Sequence, residues 1–151
     1  HPHLVDVGFG ICMMDAPVRL EVGLEQQTAM GTFRIGTWNG LTTISAKQPA
    51  GWRMMYAFDL VPQIHADYVL GNWYTSTNAN VPATHTLAME RVSPGVRHKL
   101  VNRRCFIEAR DGEFVEERAI ESAAELGRII DEIFRVTPPV PVEDIWARTK
   151  A

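Results

Sequence analysis

Two adjacent residues, Asn39 and Gly40, narrow the choice of fold more than any other pair in the chain. They separate TFRIGTW from LTTIS, two runs rich in β-branched and aromatic residues. An Asn-Gly pair in that setting specifies a two-residue hairpin, because both residues tolerate the positive φ that such a turn needs. Neighbouring segments read as strands too. LVDVG is a short strand ended by Gly8 and Gly10, and VRLEV follows Pro17 with Val18, Leu20 and Val22 on one face. RMMYAFDL alternates Met54, Tyr56 and Phe58 with Met55, Ala57 and Asp59. Short strands at this spacing predict a small barrel or sandwich over residues 1 to 60.

The pattern then changes. Pro62 predicts the opening of a helix, since its missing N–H costs nothing in a first turn, with Ile64, Tyr68 and Leu70 facing inward. STNANVP is a loop by composition. THTLAMERV, HKLVNRRCFIEAR and EFVEERAI read as three strands, the last two joined by a turn at Asp111-Gly112. Ser122 and Glu125 have the spacing of a capping box, in which hydroxyl and carboxylate each serve a backbone amide. Leu126, Ile129, Ile130, Ile133 and Phe134 follow the stripe of an amphipathic helix, stopped by Pro138, Pro139 and Pro141. VEDIWARTK predicts one more short helix, laying Ile145 and Trp146 on the body. The fold class is α+β, a β-rich unit followed by a smaller α/β unit with a soft boundary near residues 61 to 75.

Composition excludes several functions. The 151 residues are 46% apolar and 22% charged with a formal charge of -3, so there is no basic footprint for nucleic acid. No apolar run approaches the roughly 20 residues needed to span a bilayer. The two cysteines, Cys12 and Cys105, make neither a disulfide scaffold nor a zinc pair. His65, His85 and His98 have no Asp, Glu or Cys at ligand spacing, so no metal is expected. The opening HPHLVDVGFG lacks a basic region, a long apolar stretch and an initiating Met, and reads as chain already inside a fold, with something preceding His1. The default compartment is the cytoplasm.

LVDVGFG, then APVRLEVGLEQ, then GTFRI resemble the arylamine N-acetyltransferases in wording and order. NWYTST, Leu87, Arg91, KLVNRRCFIEARDG and the helix from Ser122 to Arg135 are similar to the carboxy-terminal lid of that family. The resemblance implies a barrel-like domain at 1–65 carrying a triad aspartate, and an α/β lid at 66–151 with a three-to-four-stranded sheet and a carboxy-terminal helix. It also implies an amino-terminal helical domain, absent from these residues, that holds the catalytic cysteine in an RGGxC-like motif. The implied activity is transfer of acetyl from acetyl-coenzyme A to an arylamine or arylhydrazine through a cysteine thioester. A Cys-His-Asp triad does this chemistry because the imidazolium holds the thiolate and a carboxylate steadies the imidazolium.

In the VDVGFG motif that carboxylate is Asp6; without the resemblance it reads as a strand-end Asp accepting backbone N–H groups. Phe9 matches the aromatic that lines the acceptor pocket, and Gly8 and Gly10 would let backbone approach the thioester. Thr77, Asn80 and Ala83 fall in the segment bordering the coenzyme cleft. Ala83 stands where many members carry an aromatic, and Ile11 where they carry a second glycine. His1 and His3 are tempting triad bases, but strand alternation puts them opposite Asp6. Cys12 and Cys105 read as packed apolar residues, and EERAIESAAE as a solvated face. The expected partners are an amino-terminal segment supplying Cys and His, a small aromatic amine, and, through exposed apolar surface, a second copy. Two rivals stay open: a macrolactam-forming amide synthase of the same superfamily, and a non-catalytic binding or scaffold derivative.

Overall fold

A computed structural model of the chain describes residues 1–8 and 12–149. Its elements in order are β1 (His3–Leu4), β2 (Val18–Arg19), β3 (Glu25–Gln27), β4 (Thr32–Trp38), β5 (Leu41–Gln48), β6 (Gly51–Phe58), α1 (His65–Thr77), β7 (Ala88–Ser93), β8 (Val96–Val101), β9 (Arg104–Glu108), β10 (Phe114–Ala119), α2 (Ala123–Ile129) and α3 (Val142–Arg148). The expected α+β class is what is found. Two four-stranded sheets run in the orders β3-β4-β5-β6 and β10-β9-β8-β7, with β1 and β2 paired apart from them. The chain divides into two compact units. One comprises His1–Asp59, Glu90–His98 and Phe106–Glu116; the other comprises Leu60–Met89, Lys99–Cys105 and the residues from Glu117.

The first unit is organised by the Asn39-Gly40 turn. Asn39 has φ 48° and Gly40 φ 79°, the two positive angles a twisted hairpin requires, and Trp38 faces Leu41 across it. Register then places Phe33 opposite Ala46 and Ile35 opposite Ile44, all four buried. They share a core with Cys12, Met14 and Val18, against which Leu4, Leu20, Met55 and Tyr56 pack. Each fully buried Ile or Phe is worth about 1.5–3 kcal/mol here.

Two strand expectations need correction. Ile44 pairs with Tyr56 while Ser45 pairs with Met54, so Met55 is an extra residue in β6. That bulge breaks the alternation: Met54 and Tyr56 leave the same face, and Tyr56 turns to the core while Met54 is exposed. LVDVG and VRLEV shrink to two-residue strands, because only His3–Leu4 and Val18–Arg19 find each other, leaving Val5 and Val22 exposed.

In the second unit, Leu100, Cys105, Ile120, Leu126, Ile129, Ile130 and Phe134 form the core, with Ile133, Val142, Ile145 and Trp146 packed against it. The predicted stripe is therefore kept, although α2 widens into a π-helical turn over Ile130–Phe134 before Arg135 ends it at φ 56°. The capping box is half as expected. Glu125 N donates to Ser122 Oγ at 3.2 Å, but the Glu125 carboxylate accepts from Glu121 N rather than from the cap residue. Arg103 lies 3.9 Å over the Trp146 ring and donates to Trp146 O and Thr149 Oγ1, which ties down the end of α3. HKLVNRRCFIEAR is two strands, β8 and β9, because Asn102 turns the chain at φ 51°.

Helix α1 departs most from expectation. It starts at His65, with Ile64 N held by the Asp67 carboxylate at 3.0 Å, so Pro62 lies outside it. None of its residues is buried; Ile64, Tyr68 and Leu70, expected inward, are 66%, 63% and 64% exposed. The core of the second unit is made by α2, α3 and strand residues, and no apolar side chain of α1 is among them. In the last turns of α1 the Thr75, Ser76 and Thr77 hydroxyls donate back to the carbonyls of Gly71, Asn72 and Trp73.

Candidate functional site

Asp6 follows β1 and is half-buried, outside regular strand. Its Oδ1 accepts from Gly8 N at 2.9 Å, the local turn that an Asp in a strand-breaking position makes. A second donor comes from far along the chain: the Tyr56 hydroxyl hydrogen-bonds the Asp6 carboxylate. Tyr56 stands beside the Met55 bulge, and its ring lies 6.0 Å from that of Phe58, tilted by 54°. Burial first, and then the bond to Asp6 and its negative charge, push the phenol well above its ordinary value. Tyr56 therefore stays a proton donor to Asp6 at any ordinary pH. Gly8 N and the Tyr56 hydroxyl together hold the carboxylate's orientation.

The chain past Asp6 is tied a second time. Met13 N donates to Glu90 Oε1 at 3.1 Å, Arg97 Nη2 donates to Met13 O at 2.9 Å, and Arg97 Nε lies 3.2 Å from Glu90 Oε1. Cys12, beside it, is buried with a left-handed φ of 51°. Phe9 and Gly10, expected at the acceptor side, lie outside the described residues, as does Ile11. A side chain at Gly8 would meet nothing within 4 Å. His1 and His3 are exposed, and His3 pairs with Arg19 in β1–β2.

The residues expected at a coenzyme cleft do not converge. Ala83 lines a cavity of about 410 Å³ with Leu87, Val140, Asp144, Ile145 and Arg148, all in the second unit. Thr77 and Asn80 are not in its wall; Thr77 closes the end of α1, and Asn80 N donates to Asn78 Oδ1 in a local turn.

Both cysteines sit in cores, as a packed apolar residue would. Burial raises the Cys105 thiol, with Arg118 pulling it down and Glu125 pushing it up, which leaves it a poor nucleophile. Among the described residues no three His, Cys, Asp or Glu side chains stand where they could hold a metal ion, and no helix is long and apolar enough to cross a membrane. The sequence singles out Asp6 but not Tyr56, Glu90 or Arg97, which the structure brings to Asp6 and Met13. Glu90 and Arg97 lie in strand-like runs that also carry Arg91 and Lys99, so charge in a strand did not mark the second tie.

The sequence model of the N-acetyltransferase family matches residues 1–140. The arylamine N-acetyltransferase of Mycolicibacterium smegmatis is 33% identical over 101 residues, 67% of this chain and 37% of that protein. The arylamine N-acetyltransferase of Escherichia coli (strain K12) is 30% identical over 131 residues, 87% of this chain and 47% of that protein. The structure of Mycobacterium marinum arylamine N-acetyltransferase in complex with CoA is 30% identical and superposes with a TM-score of 0.83, covering 95% of this chain and 51% of that one. The chain thus spans about half the length of the relatives it matches.

Proposed function

Since the chain belongs to the arylamine N-acetyltransferase family, we propose that it is the part of an acetyltransferase that supplies the carboxylate of a Cys-His-Asp triad, at Asp6. The observation that carries this reading is the setting of Asp6: half-buried, with its carboxylate oriented by Gly8 N and the Tyr56 hydroxyl. A carboxylate so placed suits an imidazole N–H, whose tautomer it would fix and whose positive form it would steady.

On this reading an amino-terminal segment brings the cysteine and the histidine. The imidazolium holds the cysteine as thiolate, which attacks the acetyl carbonyl of acetyl-coenzyme A and expels the coenzyme thiol. The thioester then yields its acetyl group to the nitrogen of an arylamine or arylhydrazine, whose lost proton returns through the histidine. Asp6 touches neither acetyl nor amine; it keeps the base in the right protonation state through both half-reactions. Phe9, Gly8 and Gly10 would border the acceptor, and Thr77, Asn80 and Ala83 the coenzyme. The regions 1–65 and 66–151 act as barrel and lid, in the cytoplasm.

The test compares the 151-residue chain alone with the same chain joined to an amino-terminal helical segment carrying the cysteine and histidine. The expected result is no transfer from acetyl-coenzyme A to an aromatic amine by the first and measurable transfer by the second. Transfer by the chain alone that disappears in Cys12→Ala would overturn the reading and make Cys12 the nucleophile.

A further inference from the structure

We propose that helix α1 is a seat for the amino-terminal segment, which encloses it on more than one side and in doing so keeps it helical. This rests on the reading of Asp6 only in that both call for the same segment.

The residues of α1 do not make a helix meant for water. At 3.6 residues per turn, Ile64 with Tyr68, Val69 with Trp73, and Leu70 with Tyr74 are pairs four residues apart, and the pairs lie on three different sides. All six residues are between 51% and 66% exposed. A surface helix keeps one apolar stripe and turns polar groups to solvent, whereas a helix apolar all round belongs inside. The hydroxyl groups fit an interior as well. Those of Thr75, Ser76 and Thr77 already donate to carbonyls of their own helix, so covering them leaves no donor stranded.

Nor does the rest of the fold account for the helix. Among the described elements, α1 meets in strength only the 3₁₀ turn Pro82–Thr84 that follows it. Gly71 lies in its middle, Ile64 offers no side-chain cap, and no basic residue stands in its last turn. A 13-residue helix built in this way is marginal in water unless something packs on it.

The three apolar sides also select the occupant. A second copy meeting α1 across a two-fold axis brings one surface to one side and leaves the others wet. This chain spans about half the length of the relatives it matches, so a protein of their size has as much chain again from which to build walls on several sides. A segment of the same polypeptide also acts at a high effective concentration, which a separate partner does not.

Hydrogen exchange at the amides of residues 65–77 tests this, in the 151-residue chain and in the same chain joined to the amino-terminal segment. Joining should slow exchange there at least about a hundredfold, the effect of burying two large apolar side chains on a local opening equilibrium. In the joined form, Leu70→Glu with Trp73→Glu should abolish that slowing, while the Ile129 and Ile130 amides in the core of the same unit keep their rates. Tyr68→Gln, a milder change on another side of the helix, should speed exchange at 65–77 by about tenfold. Equal exchange with and without the segment overturns the proposal. So does protection in the 151-residue chain alone that is lost on dilution, which would give the helix to a second copy. Slowed exchange in a joined form that transfers no acetyl sinks the catalytic reading and keeps this one; transfer with unslowed exchange does the reverse.

Discussion

Replacing Asp6 by Asn and Tyr56 by Phe separates two roles that the site combines. Asp6→Asn keeps the shape and one acceptor oxygen, which can still serve Gly8 N at 2.9 Å. The other position becomes an NH₂ group, which donates where a carboxylate accepts. An imidazole facing it must turn over to the wrong tautomer and lose the charge that steadies its protonated form. In a comparable serine triad that change costs about 10⁴ in turnover, and a drop of at least roughly 10², or about 2.7 kcal/mol, is expected here. Tyr56→Phe leaves the charge and removes one donor. A hydrogen bond to a charged group is worth about 1.5–3 kcal/mol, and the half-exposed setting of Asp6 reduces this to about 1 kcal/mol, near fivefold in turnover. The assay is steady-state acetyl transfer in the assembled enzyme, with acceptor KM little altered in both variants. Full turnover in Asp6→Asn would refute the reasoning and leave Asp6 a strand-end anchor. So would a loss in Tyr56→Phe as large as that in Asp6→Asn.

Four further outcomes concern stability and association. Gly40→Ala forces a Cβ onto a residue at φ 79° and should cost about 1 kcal/mol, read as a lower urea midpoint with unchanged slope. Ser122→Ala removes the cap of α2 and should cost about 1 kcal/mol by the same measurement. The Glu125 carboxyl is held below its usual range, first by the Glu121 N–H and further by Arg118. Its contribution is therefore complete above the ordinary glutamate value of about 4.3 and disappears as pH falls through the lower folded value. A Glu125→Gln chain should accordingly show a flatter loss of stability below pH about 4.3; an unchanged acid limb counts against this. Leu70→Glu with Trp73→Glu, on the exposed face of α1, should lower the scattering mass of the purified chain, and an unaltered mass would move the sticky surface elsewhere.

Local chemistry was legible, and distant partnership was not. Asn39-Gly40 announced its hairpin because the demand for positive φ lies in the two residues themselves. Ser122 and the stripe from Leu126 to Phe134 were readable for the same reason. Met55 gave no sign of its bulge, since an extra residue shows only against the partner strand. Asn102 turned the chain without a glycine, so two strands read as one. Ile64, Tyr68 and Leu70 advertised an apolar face on α1 but not what, if anything, would cover it. In the site, Asp6 stood out through its motif, whereas Tyr56, Glu90 and Arg97 meet their partners only across long stretches of chain.

The first unit's three separate stretches impose an order on synthesis. The Asn39-Gly40 hairpin can form as soon as it leaves the ribosome, but Met13 waits for Arg97, 84 residues later, and Thr32 N waits for Asp111, 79 residues later. At roughly 5–20 residues per second, several seconds pass with Phe33, Ile35 and Ile44 synthesised and the unit still open. The nascent chain is then a natural client for a chaperone. A stop codon just after Cys105 would take from this earlier unit its closing stretch, Phe106–Glu116. Such a change would therefore undo a unit whose stretch His1–Asp59 had been translated well before it.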